Sequence, residues 1–408
     1  MSWSAAAVGE WVLLGMLAFG VFVHLSGFAV ATWFSRQRPP PLPPGPLPGV
    51  TVIKTCVGVD DGEDALFDAL FHQDYPGPVQ LIFTVPDTEC AANPVIDGFL
   101  ARYPHVDAVK VVSTTRLAAY RKVDAVYDAH PLVKHPLVVW SDSDVVTTTH
   151  YASDVAACLL EPGVSMVSSP QFDVGADNVA TAFKAVANNA DGATMVPWYL
   201  LLFRPAQMVV GHLIAFHKRD LDEVADELWP TLRVAVADDQ AIGHVFAKRG
   251  KRIVFRNIDN PVLYRGKTWA AMVGQKVRHA VCQQAGVGSR LGFFMYVFTY
   301  AQVPATLWLL THLAQPSAWA LVTATMLLRA LLALYVERLF LGSTAMTRRY
   351  AWTVPLWDLA SVYFTLKAVL TQRIDYHGRW YELVDRYRIR PVVEPDGEAL
   401  SSTTGGAR

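Results

Sequence analysis

The tetrapeptide Ser141-Asp142-Ser143-Asp144 sets two carboxylates two residues apart, directly behind the apolar run Leu137–Trp140 (LVVW). Such a pair suits a hard divalent cation, because Mg²⁺ and Mn²⁺ take oxygen ligands, commonly one or two carboxylates plus phosphate oxygens. A cation held there stabilises a departing diphosphate. Taken alone, the same four residues also read as loop carboxylates at a strand end. Asp60 closes an earlier apolar run, Val50–Val59, and is followed by Asp61, Glu63 and Asp64. It reads either as an N-cap of the next helix or as an acceptor for a nucleoside base. Asp238 and Asp239 precede a helix-like segment, 240–249, and either cap it or supply a general base for an attacking hydroxyl. Gln275-Lys276-Val277-Arg278-His279 contains an arginine whose planar fork of donors matches phosphate oxygens. A basic segment lying on anionic lipid heads has the same composition.

These residues need a scaffold, and the pattern from residue 50 onward alternates strand and helix. Strands are predicted at 50–59, 79–85 (VQLIFTV), 108–112, 137–140 and 165–168, with IVF at 253–255. Helices are predicted at 64–72, 94–103 and 118–130 between them. This alternation predicts an α/β domain with a mainly parallel sheet over 50–288. Ligands of such sheets bind beyond the carboxyl ends of the strands, which is where the acidic residues fall.

Hydrophobic residues make up 52% of the 408 residues and charged residues 17%, with mean hydropathy +0.24. Soluble domains carry about a quarter charged residues, so the apolar excess must be located. Trp11–Ser35 has no Asp, Glu, Lys or Arg. As a helix it reaches about 37 Å, against a hydrocarbon core of roughly 30 Å. It exceeds a signal-peptide apolar core, and Arg36 and Arg38 follow it rather than precede it, so a retained transmembrane helix over 8–35 is expected. A Pro-rich linker, 36–49, comes next and excludes helix. Leu291–Leu328 also lacks charge, and Gln315-Pro316 divides it into expected spans at 291–313 and 317–337. The segment 354–370 carries Asp358 and Lys367, so an interfacial or re-entrant helix fits it better than a span. Together these form a membrane region, 289–372, followed by a basic segment and disordered tail, 373–408. Arg36, Arg38, Lys276, Arg278, Arg290, Arg338, Arg348 and Arg349 orient the middle domain to the cytoplasm by the positive-inside rule. Arg329 lies inside the second hairpin helix and either snorkels or faces a polar cavity. The net charge of −1 and the lack of a basic stripe exclude nucleic acid as a partner. Cys56, Cys90, Cys158 and Cys282 form no CxxC pair or metal-spaced cluster and read as free thiols.

Taken in order, the clusters resemble the GT-A glycosyltransferases of the family-2-like superfamily, whose markers are D, DxD, (E/T)D and (Q/R)xxRW. The N-terminal apolar helix, the start Lys54-Thr55-Cys56-Val57-Gly58-Val59-Asp60 and the segment from Pro355-Leu356-Trp357-Asp358 to Tyr376–Tyr381 narrow the likeness. They are similar to the ceramide glucosyltransferase family, including its bacterial and hopanoid-associated members, over about 11–390. The resemblance implies that Asp60 contacts uridine and that Asp142 and Asp144 bind the donor diphosphate through Mg²⁺ or Mn²⁺. It implies that Asp239 is the base, with Asp238 in the Glu position, and that Gln275 and Arg278 bind the diphosphate. Lys54 matches the lysine of the family's start motif, which places it with the donor-binding residues, and Lys122 matches that of its NxKV stretch. His279 stands where the family has Trp, either as a further phosphate donor or as a polar filler.

The implied chemistry is inverting transfer of a hexose from a UDP-sugar to a hydroxyl of a membrane lipid. Ceramide is the foremost acceptor, with a hopanoid or other lipid as the alternative. An integral membrane protein of a bacterial inner membrane, with its catalytic domain in the cytoplasm, is the corresponding setting. A processive polysaccharide synthase shares the motifs but needs more membrane helices for a polymer channel. A transporter or scaffold would carry its polar residues in the spans. Donor hexose, metal preference and oligomeric state are not determined by the sequence.

Overall fold

A computed structural model describes residues 5–56, 64–202, 206–207, 209–371, 373–376, 379–385 and 387–392. The chain divides into two compact units, one of 36–175, 199–266 and 374 onward, the other of residues up to 35, 176–198 and 267–373.

The first unit is built on a seven-stranded sheet. Its strands are β1 (Val50–Thr55), β2 (Val79–Val85), β3 (Asp107–Val112), β4 (Leu137–Asp142), β5 (Val164–Ser168), β7 (Leu213–His217) and β8 (Arg252–Phe255), while β6 (Asp173–Val174) pairs elsewhere. The order is β3-β2-β1-β4-β7-β5-β8. Only β7 runs against its neighbours, β4 and β5. The other pairs are parallel, so the expected mainly parallel sheet is present. β1 is buried at all six positions and β4 at five of its six. That absence of alternation is what strands covered on both faces require. One covering layer is aromatic: Phe71 stacks on Phe83 and Phe99, with centroids 5.7 and 5.3 Å away. Trp140, 1% exposed, meets Phe216 edge-on at 5.0 Å and lies 6.0 Å from Trp229.

Two expectations change here. The Pro-rich segment is part of this unit rather than a free spacer, because Leu42 and Leu47 pack on its core and Pro48 accepts a hydrogen bond from Tyr75. The basic segment after 373 forms three short strands, 373–376, 379–383 and 389–391, before the undescribed tail.

The second unit is helical. Helices Ala5–Ser35 and Pro316–Phe340 contain the two candidate spans, Ala7–Ser35 and Pro316–Phe340, long and apolar enough to cross a membrane. The stretch expected as one span at 291–313 is instead two helical pieces, Arg290–Thr299 and Gln302–Thr311, bent by 80°. Helix Val354–Thr371 turns Asp358 inward, fully buried, and leaves Leu370 79% exposed.

Candidate active site at the carboxyl end of β4

The β1–β4 register pairs Thr55 with Asp142, so the DxD begins where the central strands end. Backbone bonds shape the turn that follows: Val145 N–H donates to Asp142 O, and Leu263 N–H donates to Asp144 O at 2.8 Å. Lys54, 1% exposed, donates to Val145 O at 2.9 Å and to Ser141 Oγ at 3.4 Å. Its ammonium therefore braces the DxD turn from beneath. Asp60 lies outside the described residues.

Lys122 is the hub of the site. Its Nζ lies 2.8 Å from Asp142 Oδ1 and 3.5 Å from Asp238 Oδ2, and donates to Gly211 O at 2.5 Å. Burial alone would favour the neutral amine, but the charges of Asp142 and Asp238 outweigh it and hold the ammonium well above the ordinary lysine range. Asp238 and Asp239 open helix Asp238–Lys248, whose N-terminal turn suits negative charge. Both structural and chemical readings thus apply to the same pair. Burial and the neighbouring Asp238 charge push the Asp239 carboxyl up to about 7. The N–H groups of Gln240 and Gly211 and the Lys122 charge oppose that rise. The result is a carboxylate poised near neutrality, the condition for a general base.

The residues match the donor chemistry expected for Mg²⁺ or Mn²⁺ but only in part. Among the described residues no three His, Cys, Asp or Glu side chains are grouped to hold a metal. Asp142, 31% exposed, spends one carboxylate oxygen on Lys122, and its Oδ2 has no protein partner among the described residues. One or two hard oxygen donors fit a cation that brings phosphate oxygens with it, and do not fit a dedicated protein cage.

His212 escaped sequence reasoning. The β4–β7 register pairs Ser141 with Leu213, which sets His212 in the position opposite Asp142. It is 3% exposed, its Nε2 is 3.2 Å from Ser169 Oγ, and its Nδ1 has no hydrogen-bond partner among the described residues. Burial lowers its pKa to about 4, against the pull of the Asp142 charge, so the imidazole is neutral. Only the antiparallel β7 brings it there, and a strand of reversed sense left no mark in the alternation pattern.

Gln275, Arg278 and His279 belong to the helical unit, on helix Trp269–Val287. Gln275 and Arg278 are one turn apart and share a face. Lys276 sits over the Trp357 ring at 4.9 Å. Burial, then the charges of Lys276, Arg278 and Lys184, drives the pKa of half-buried His279 well down, so it is a neutral ring.

A mostly parallel α/β sheet with acids gathered at the carboxyl end of its central strand has the GT-A architecture. The chain belongs to glycosyl transferase family 21, whose model matches residues 17–389. It is similar to ceramide glucosyltransferase 1 of Caenorhabditis elegans, 25% identical over 138 residues, or 34% of this chain and 29% of that protein. It is also similar to the ceramide glucosyltransferase of Candida albicans, 31% identical over 88 residues, or 21% and 16%. These matches span less than a third of the curated relatives' lengths. Among solved structures, the mannosyltransferase PcManGT from Pyrobaculum calidifontis, in complex with GDP-Man and Mn²⁺, is 16% identical with a TM-score of 0.42, covering 86% of this chain and 99% of that one.

Proposed function

We propose that this chain is a hexosyltransferase that moves a sugar from a UDP-sugar to a hydroxyl of a membrane lipid, with inversion at the anomeric carbon. Glucose and ceramide are the donor sugar and acceptor that the names of the relatives suggest. The observation that carries this reading is a near-neutral carboxyl, Asp239, gathered through Lys122 with Asp142 at the end of β4.

In the proposed reaction the lipid hydroxyl oxygen attacks the anomeric carbon while the bond from that carbon to the diphosphate breaks. Asp239 accepts the hydroxyl proton and later yields it to solvent. Lys122 pairs with Asp142 and Asp238 and fixes their side chains. Lys54 holds the DxD turn, Asp60 binds the uracil, and Gln275 and Arg278 donate to the diphosphate. Asp142 and Asp144 would hold a divalent cation, whose charge would offset that of the leaving UDP. The neutral His279 serves as a filler rather than a cationic phosphate donor. The two apolar helices support a membrane setting, and we assign the α/β unit to the cytoplasmic face of a bacterial inner membrane.

The test is UDP release by the detergent-solubilised full chain supplied with UDP-glucose and a panel of ceramide, hopanoid polyol and diacylglycerol. Release that depends on ceramide supports the assignment. Dependence on another lipid moves the acceptor, and no release with any of them, or with other UDP-hexoses, sinks the enzymatic reading.

A further inference from the structure

The polar groups left unused by this chemistry cluster in one layer of the helical unit. Arg329 is 1% exposed and sits inside Pro316–Phe340, a helix long enough to cross a bilayer. Its Nε donates to both carboxylate oxygens of Asp358, at 3.1 and 3.0 Å, and its Nη2 donates to Asp191. Tyr300 Oη donates to Asp191 Oδ2 at 3.1 Å, and its ring centroid is 5.6 Å from the guanidinium carbon. Arg329 Nη1 takes part in none of these bonds.

His24 enters the same layer from helix Ala5–Ser35. That helix and Pro316–Phe340 run side by side in one direction. A Cβ on Gly27 would meet Leu332 at 3.1 Å and Thr194 at 3.2 Å, Phe28 contacts Tyr335, and Phe34 contacts Phe340. One turn back from Gly27, Leu332 and Thr194 stand His24, Arg329 and Asp191. His24 is 2% exposed, neither ring nitrogen has a hydrogen-bond partner among the described residues, and the Arg329 charge acts on the ring.

We propose that this layer binds the uncharged hydroxy-amide head of an amphiphile, the acceptor of the lipid-glycosylating reaction proposed above, on which this inference rests. An arginine within a span costs a few kcal/mol to insert and marks a functional site more often than packing. Here two carboxylates compensate its charge, yet hydrogen-bonding capacity is left over. Nη1 offers two N–H donors, and His24 offers two ring nitrogens without a partner among the described residues. Buried polar groups of this kind normally find partners. An amide carbonyl accepts from Nη1, and a hydroxyl pairs with a His24 ring nitrogen. A phosphate-bearing head would set its anionic oxygens against the Asp191 and Asp358 carboxyls that already hold the guanidinium. An amine head lacks the amide carbonyl that accepts from Nη1.

His24→Leu tests this, because leucine fills similar space and removes the orphan polar group. The full chain in detergent is melted alone and with short-chain ceramide, sphingosine or ceramide phosphate, three lipids that differ in the head. Ceramide is expected to raise the Tm of the wild type and not of the variant, with no rise from ceramide phosphate or sphingosine. The lipid-free variant is expected to melt at or above the wild type. In transfer assays the variant's KM for ceramide rises about 10-fold while its KM for UDP-glucose stays within about 2-fold. An unchanged ceramide KM, a lower lipid-free Tm, or equal shifts from the charged lipids overturns the head site while leaving the transferase reading intact. If the wild type releases no UDP, the transferase reading fails, and the melting series still decides whether the layer binds the head.

Discussion

At the residue scale, the site is governed by a single lysine among three carboxylates. As the proposed base, Asp239 acts only when deprotonated, and its carboxyl is pushed up to about 7. Catalytic efficiency should therefore fall as pH drops below about 7 and level off above it, because kcat/KM reports the free enzyme's base. A profile flat from pH 5 to 8, roughly the range around that value, would remove Asp239 as the base. Asp239→Asn should abolish transfer while UDP binding stays within a few-fold, as measured by titration calorimetry. Lys122→Met removes the charge that opposes the rise at Asp239. The profile of that variant should shift toward alkaline pH, the reverse of what loss of an acid group would do. It also leaves Asp142 and Asp238 without their cation, and uncompensated buried charge costs about 3–5 kcal/mol. A denaturant midpoint equal to wild type would show that the network holds no such charge.

At the element scale, the approach to the base is clamped from the C-terminal strands. Tyr376 Oη donates to Val236 O at 2.5 Å, Val236 N–H donates to Tyr387 O at 2.9 Å, and Ile389 N–H donates to Val234 O at 2.8 Å. Val236 lies two residues before Asp238, so these bonds set where helix Asp238–Lys248 begins. Tyr376 also packs on Tyr120, immediately before helix Arg121–Ala129, which carries Lys122. One ring thus touches both approaches to the acid–lysine cluster. Tyr376→Phe keeps the ring and deletes one hydrogen bond, worth about 0.5–1.5 kcal/mol. Transfer should fall by roughly 2- to 10-fold, with little change in KM for the donor. Wild-type turnover in that variant would show that the strands do not position the base.

At the scale of the whole molecule, each unit carries a different part of the proposed reaction. The sheet unit holds the DxD and acid pair, and the helical unit holds Gln275, Arg278 and the apolar helices. Because the described residues offer at most paired carboxylates to a cation, metal affinity should depend on the diphosphate. EDTA should stop transfer, and Mg²⁺ or Mn²⁺ should restore it. Calorimetry should show Mn²⁺ binding strengthened by UDP. Metal-independent transfer, or equal Mn²⁺ affinity with and without UDP, would exclude this division between protein and substrate ligands.

The sequence by itself determined what local pattern encodes. Alternating β-branched runs marked β1, β2, β4 and β8 to within a few residues, with 57–59 of the run expected for β1 lying outside the described residues. The charge-free runs marked helices Ala5–Ser35 and Pro316–Phe340, and paired acids marked Asp142 and Asp144 at a strand end and Asp238 and Asp239 at a helix start. Tertiary structure alone decided the rest, because it depends on which distant residues share a space. That Lys122 bridges Asp142 and Asp238, that Lys54 props the DxD turn, and that His212 stands opposite Asp142 across a reversed strand follow from sheet order and register. The 80° bend within 290–311 and the pairing of Arg329 with Asp191 and Asp358 have the same origin. A charge in an apolar run tells nothing of its partner until helices distant in sequence pack side by side.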